Sequence, residues 1–163
     1  MTGRRFSVFV MTALVAALAM LVAAATADEH SGTWKLNPAK SKYSPGPAPT
    51  NLTETIQLNG TTYKVEGNGT SGDGKPMHLG FDAKFDGKDY PIRGIPWADM
   101  QSARWIDART PQLIQKKAGQ VTMTVTCKVS TDGNTRTCVM KGKDERGRKV
   151  NNVVVFDKQQ NND

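Results

Sequence analysis

The sequence is poor in the residues on which most enzymes and metalloproteins depend. Its 163 residues include two histidines and two cysteines, and only 7% are aromatic. This supply excludes a four-cysteine zinc site and a dense disulfide framework. The glycine-rich stretch 69–74 lacks the G-x-S-x-G spacing of a hydrolase nucleophile elbow. The sequence therefore predicts no enzyme, no cofactor and no resident metal ion.

Long apolar runs are confined to the N-terminus. Arg4 and Arg5 precede an apolar stretch over 6–22, and Ala25-Thr26-Ala27 has the small-x-small pattern of a cleavage site. We predict a signal peptide over residues 1–27, cleaved near Ala27, and an exported protein that is periplasmic or secreted. Residues 28–163 are then predicted to form a single β domain. An uncleaved membrane anchor is the alternative, because the apolar stretch approaches the length of a spanning helix.

Positive charge is in modest excess, with a formal net charge of +7 at pH 7. The densest basic stretch, 141–149, is interrupted by Asp144 and Glu145. This pattern is typical of a solvated hairpin and does not predict a nucleic-acid partner. It is compatible with weak association with an anionic envelope surface. The sequence carries no signal for an oligomeric state.

Apolar residues recur at every second position, and helical periodicity is nearly absent after residue 28. Along 77–85 the apolar side chains alternate with His78, Asp82 and Lys84, which predicts a strand with one buried face. Turn residues such as Asp132-Gly133 separate the runs and predict antiparallel neighbours. We expect an all-β fold, a single antiparallel barrel of about eight or nine strands, with a two-sheet sandwich as the alternative. The predicted strands are 32–37, 52–58, 61–67, 76–85, 102–107, 112–117, 121–129, 135–141 and 150–157.

Two segments interrupt the strand pattern. Residues 43–51 alternate proline with small residues, which predicts an extended polyproline chain across the surface. Residues 90–100 combine Pro91, Gly94 and Pro96 with apolar side chains, which predicts a loop. A loop of this composition packs on its own domain or presents Trp97 at a barrel rim, so Trp97 is a candidate loop contact for a partner.

The two cysteines are predicted to form a disulfide. If Asp132-Gly133 forms a two-residue turn, Cys127 and Cys138 face each other on adjacent strands. Export supplies an oxidising compartment. A reactive or metal-binding dithiol is the alternative, although neither a histidine nor a third thiol lies nearby in the sequence.

The first predicted strand carries the element Gly32-Thr33-Trp34, which resembles the start of a calycin barrel, the group that contains lipocalins. The resemblance implies that Trp34 closes one end of the barrel beneath a basic side chain, for which Lys158 is the candidate. A broader resemblance is to small exported bacterial proteins described as uncharacterised or lipocalin-like, and it implies no particular ligand. It rests on the segments 32–37, 40–47, 85–91 and 151–158.

A barrel of this size has an interior that either holds one small ligand or is filled by its own side chains. We predict a binding module for a small hydrophobic ligand. The alternative is an envelope interaction or structural protein with a solid core. The candidate lining residues, all apolar and several of them adaptable methionines, are Met77, Phe81, Phe85, Met123 and Met140.

Cleavage after Ala27 would create one further candidate at the new N-terminus. The amine of Asp28, two amides and the imidazole of His30 can surround Cu(II) or Ni(II) in a square plane. This geometry is intrinsic to any exposed histidine in third position, so it predicts no biological role on its own.

Overall fold

A computed structural model of the protein describes residues 29–160, which contain ten β-strands. The predicted signal peptide lies outside the described residues. Within the described range no helix is long and apolar enough to cross a membrane. The strands are β1 (Gly32–Leu36), β2 (Asn51–Asn59), β3 (Thr62–Thr70), β4 (Pro76–Lys84), β5 (Tyr90–Arg93), β6 (Met100–Asp107), β7 (Thr110–Lys117), β8 (Gln120–Val129), β9 (Thr135–Lys143) and β10 (Lys149–Lys158).

The strands form one closed antiparallel barrel. The order around the ring is β1-β10-β9-β8-β7-β6-β5-β4-β3-β2, and β2 returns to β1. The ring closes where Trp34 pairs with Lys158 and Leu36 pairs with Phe156. The all-β barrel prediction is confirmed and the sandwich alternative is wrong, because no sheet edge remains open. The expected count of eight or nine strands is also wrong, since the ring contains ten.

The strand that the sequence failed to predict is β5, which lies in the predicted loop 90–100. It has only four residues and forms two residue pairs with each neighbouring strand. One example on each side is the pair of Ile92 with Phe81 of β4 and the pair of Tyr90 with Gln101 of β6. Pro91 has no amide hydrogen to donate, and Gly94 and Pro96 follow at once. Tertiary pairing, not local sequence preference, makes this segment a strand.

The disulfide prediction is confirmed in the hairpin of β8 and β9. Cys127 and Cys138 are direct cross-strand partners, and their sulfur atoms are 2.06 Å apart. Gly133 has a φ of 75°, which a turn of this type requires and which glycine adopts without strain. The turn is longer than the predicted Asp132-Gly133 pair, because Ser130 bonds to Thr135 across residues 131–134 and the amide of Gly133 donates to the carbonyl of Ser130. The register of the two cysteines is nevertheless the predicted one.

The proline-rich segment, here called the strap (residues 37–50), lies along β10 and extends the barrel wall. Lys42 forms an isolated bridge with Val153 of β10, and the amide of Asn151 donates to the carbonyl of Ser44. A Cβ on Gly72 would lie 2.5 Å from the Cβ of Pro47, so the strap also contacts the β3–β4 hairpin closely. The strap runs extended, as its prolines predict, and continues the wall beyond the end of β1.

The strands are antiparallel around the ring, so successive connections lie at alternate ends of the barrel. β1 begins and β10 finishes at one end, here called the closed end. The opposite end, here called the mouth, is formed by the β3–β4, β7–β8 and β9–β10 hairpins, the strap and the loop 94–99 between β5 and β6. Along each strand, side chains that face the barrel axis alternate with side chains that face outward.

Candidate ligand-binding site

Some of the axis-facing side chains near the mouth are partly exposed. On β4, Phe81 and Ala83 are buried, whereas Leu79 and Met77, nearer the mouth, are partly exposed. On β9, Cys138 is buried and Met140 is partly exposed. The interior is packed in its middle, and its partly exposed axis-facing side chains lie toward both ends, since Phe85 near the closed end is also only partly buried.

Two of the accessible apolar side chains lie on opposite walls of the barrel. β4 and β9 are five places apart in the ring of ten strands, so Met77 and Met140 lie on opposite sides of the barrel axis. Val121 of β8, in the same alternation as the buried Met123, is 61% exposed at the rim. Methionine side chains adapt readily to the shape of an apolar ligand.

The five predicted lining residues occupy different levels of the barrel. Met77 lies at the mouth. Phe81 and Met123 are packed, at 2% and 1% exposure. Met123 pairs with Gly142, so the partly exposed Met140 lies one axis-facing position deeper in the barrel than Met123. Phe85 lies toward the closed end, where its ring stacks on Trp105 at a centroid distance of 4.5 Å. The structure therefore does not bring all five into one wall of a site.

The closed end is sealed by Trp34, which is completely buried. The Nζ atom of Lys158 lies 5.1 Å from the centre of the Trp34 ring, so the contact implied by the calycin resemblance is present. The indole nitrogen of Trp34 donates to the carbonyl of His30 at 2.9 Å. These contacts tie the chain before β1 to the last residue of β10, and an open cavity lined by Thr33, Ile56 and Lys158 among others lies beside them.

His30 is part of this seal. It is 2% exposed, its Nε2 donates to the carbonyl of Arg109 at 3.0 Å, and its ring meets Trp105 edge to face. Burial lowers the pKa of His30 to about 4; the charge of Arg136 adds to the lowering, and the hydrogen bond to Arg109 opposes it. The copper hypothesis assumed an exposed imidazole, which the structure contradicts. Asp28, whose amine would be a further ligand in that hypothesis, lies outside the described residues.

An ion pair that the sequence did not predict lies inside the barrel. Arg136 of β9, 4% exposed, binds the carboxylate of Glu54 on β2 at 2.9 Å. The same guanidinium lies 3.3 Å from the sulfur of Cys127 and 5.6 Å from the centre of the Phe156 ring. Its Nε has no hydrogen-bond partner among the described residues. The signal was present in the alternation of the sequence. Glu54 and Arg136 each lie an even number of residues from the apolar residues that face the barrel axis on the same strand.

Trp97 is not the exposed rim contact that the sequence suggested. Its ring is partly buried and packs on the core, and its indole nitrogen donates to the side-chain oxygen of Gln115 at 2.7 Å. Gln115 in turn donates to Gln101 at 2.8 Å, and both glutamines are buried. The loop after β5 thus folds inward onto a short polar chain between β6 and β7.

Comparisons with known proteins add only a distant likeness of shape. No family model and no curated protein matches the chain. Among solved structures, the chain is similar to a redesigned β-barrel, mFAP1, bound to DFHBI. The two share 14% identity at a TM-score of 0.40, over 82% of this chain and 98% of the other. At this level the comparison carries no functional argument.

The barrel is packed through its middle, Trp34 is buried at the closed end, and Met77 and Met140 are partly exposed on opposite walls. A few fixed polar groups lie deeper, among them the ion pair of Glu54 and Arg136. Within residues 29–160, no three His, Cys, Asp or Glu side chains come together as metal ligands do. Such an arrangement can hold part of an apolar molecule by burial.

Proposed function

We propose that the chain is an exported binding module of calycin type that takes a small hydrophobic ligand at its mouth. The observation that carries this proposal is the partial exposure of two axis-facing methionines, Met77 and Met140, on opposite walls of the barrel. Burying an apolar side chain contributes about 1.5 to 3 kcal/mol, so a ligand that covers both gains a useful affinity.

The proposal includes export and the absence of catalysis. Export is supported by the N-terminal pattern over residues 1–27 and by a disulfide, which persists in oxidising compartments. The non-catalytic reading is supported by the state of both histidines. His30 is buried with its Nε2 bonded to a backbone carbonyl, and His78 lies on the outer face against Asn68.

A fluorescence titration with Nile red tests the ligand site. This dye is uncharged, so the net charge of +7 does not attract it. We expect saturable binding that weakens about tenfold in Met77→Glu, because the new carboxylate lies where apolar contact is lost. The matched control is His78→Glu, the next residue on the outer face of β4, which should bind as the unmodified chain does. Equal loss in both variants, or no saturable binding at all, would contradict the site.

The second candidate is an envelope structural protein with a solid core. The near-complete burial of Phe81 and Met123 favours it, because these side chains fill the middle of the barrel. The same titration separates the two candidates. A solid barrel gives no saturable Nile red signal and is indifferent to Met77→Glu.

A further inference from the structure

The β9–β10 hairpin projects beyond the barrel wall beside the mouth. The last pair between β8 and β9 at this end joins Met123 to Gly142, whereas β9 and β10 continue to the pair Lys143–Lys149. Asp144 orders the tip: its carboxylate accepts the Nε of Arg148 at 2.7 Å and the amide of the same residue at 2.9 Å. The hairpin is thus a defined structure with a fixed position at the rim.

This hairpin carries more positive than negative charge, although Glu145 at its tip is also exposed. Lys143 and Lys149 are direct cross-strand partners, Lys141 lies two residues along the same face, and Arg146 lies at the tip. All four are exposed, and none forms an ion pair with a described residue. Like charges directly opposite each other destabilise a strand pair. The facing cations therefore destabilise the hairpin and indicate a negatively charged external partner.

An exposed apolar residue lies next to these cations. Val121 is 61% exposed, and only it and Ile106 are exposed large hydrophobic side chains among the described residues. It lies two residues before Met123, the partner of Gly142, and so borders the root of the hairpin. Cations beside exposed apolar side chains are the combination found where proteins meet the headgroup region of a bilayer.

We infer that the protein docks on an anionic phospholipid surface with its mouth toward the bilayer. The four cations bind lipid phosphates, while Val121 and Met77 enter the interface. This inference rests on the proposed function, because docking in this orientation lets a hydrophobic ligand pass between bilayer and barrel without crossing water. A soluble polyanion would use the cations but not Val121.

Vesicle sedimentation of residues 28–163, which contain every strand of the barrel, tests the inference. The comparison is between phosphatidylcholine vesicles with and without phosphatidylglycerol, at low salt. The test variant is Lys143→Gln/Arg146→Gln/Lys149→Gln. The matched control, Lys35→Gln/Lys84→Gln/Lys88→Gln, removes three exposed cations that lie away from the hairpin.

We expect binding only to vesicles that contain phosphatidylglycerol. The hairpin variant should bind about 100-fold more weakly, because each cation near an anionic surface contributes about fivefold. The control should lose far less, and Val121→Ser should weaken binding about fivefold. The hairpin variant keeps its Nile red affinity, so failure of docking is distinguishable from failure of the ligand site.

Three results would overturn the docking surface. The first is no binding to either kind of vesicle. The second is equal weakening of the hairpin variant and the control, which would show attraction by net charge alone. The third is full vesicle binding by Val121→Ser together with equally tight capture by heparin, which would show a site for soluble polyanions.

Discussion

Glu54→Leu is expected to lower the free energy of unfolding by about 3 to 5 kcal/mol, the usual cost of leaving a buried charge without its partner. The Arg136 guanidinium is 4% exposed, and the Glu54 carboxylate at 2.9 Å is its counter-charge within the barrel. Inside the closed barrel, the Arg136 guanidinium cannot turn toward bulk water to replace this partner. Urea denaturation at neutral pH, followed by far-ultraviolet circular dichroism, measures the change.

The matched control is the double variant Glu54→Leu/Arg136→Met. Replacing both charges with apolar groups of similar size removes the uncompensated charge, so most of the lost stability should return. A single variant that costs less than about 1 kcal/mol would show that water solvates the pair. That result would contradict a closed interior at this level.

Acidification is expected to remove up to about 3 kcal/mol of stability through His30. Its folded pKa of about 4 lies below the ordinary value of 6.5, so the fold favours the neutral imidazole. The unfolded chain binds the proton first as the pH falls. Stability from this group is therefore complete above about pH 6.5 and is lost as the pH falls through 4.

The measurement is the difference in unfolding free energy between the unmodified chain and His30→Gln at several pH values from 6.5 to 4.5. Carboxylates titrate alike in both proteins, so the difference isolates His30. The gap should change with pH in the stated direction even if the variant is less stable throughout. A gap that stays constant would show that His30 is not buried in its neutral form.

Local patterns predicted most of the wall of the barrel. Alternation such as that of Phe81 and Ala83 reports which face of a strand is buried, and turn residues such as Gly133 report where a hairpin reverses. Together they fixed the register of Cys127 and Cys138 before any long-range information was needed. The contact of Lys158 with Trp34 followed from the calycin resemblance, not from spacing.

What could not be predicted depends on contacts between distant residues. β5 is held by pairing with its neighbours, not by strand preference. His30 follows a polar Asp-Glu pair and looks like part of a solvated tail, yet it is held by Arg109, 79 residues away. The candidate ligand site was predicted as five residues of one lining. Met77 and Phe85 lie eight residues, or about 26 Å, apart on one predicted strand, so the sequence already separated them. The levels of side chains on different strands depend on the register between strands, which alternation does not show.

Methionine methyl groups offer the most direct test of a ligand site between opposite walls of the barrel. Residues 29–160 contain four methionines, of which Met77 and Met140 lie on opposite walls and Met100 faces outward. In a ¹³C-methyl NMR titration with Nile red, a ligand held between the opposite walls should give saturable shifts at Met77 and Met140 and none at Met100. Saturable shifts confined to Met100, or unchanged spectra at dye concentrations that saturate fluorescence, would contradict this site.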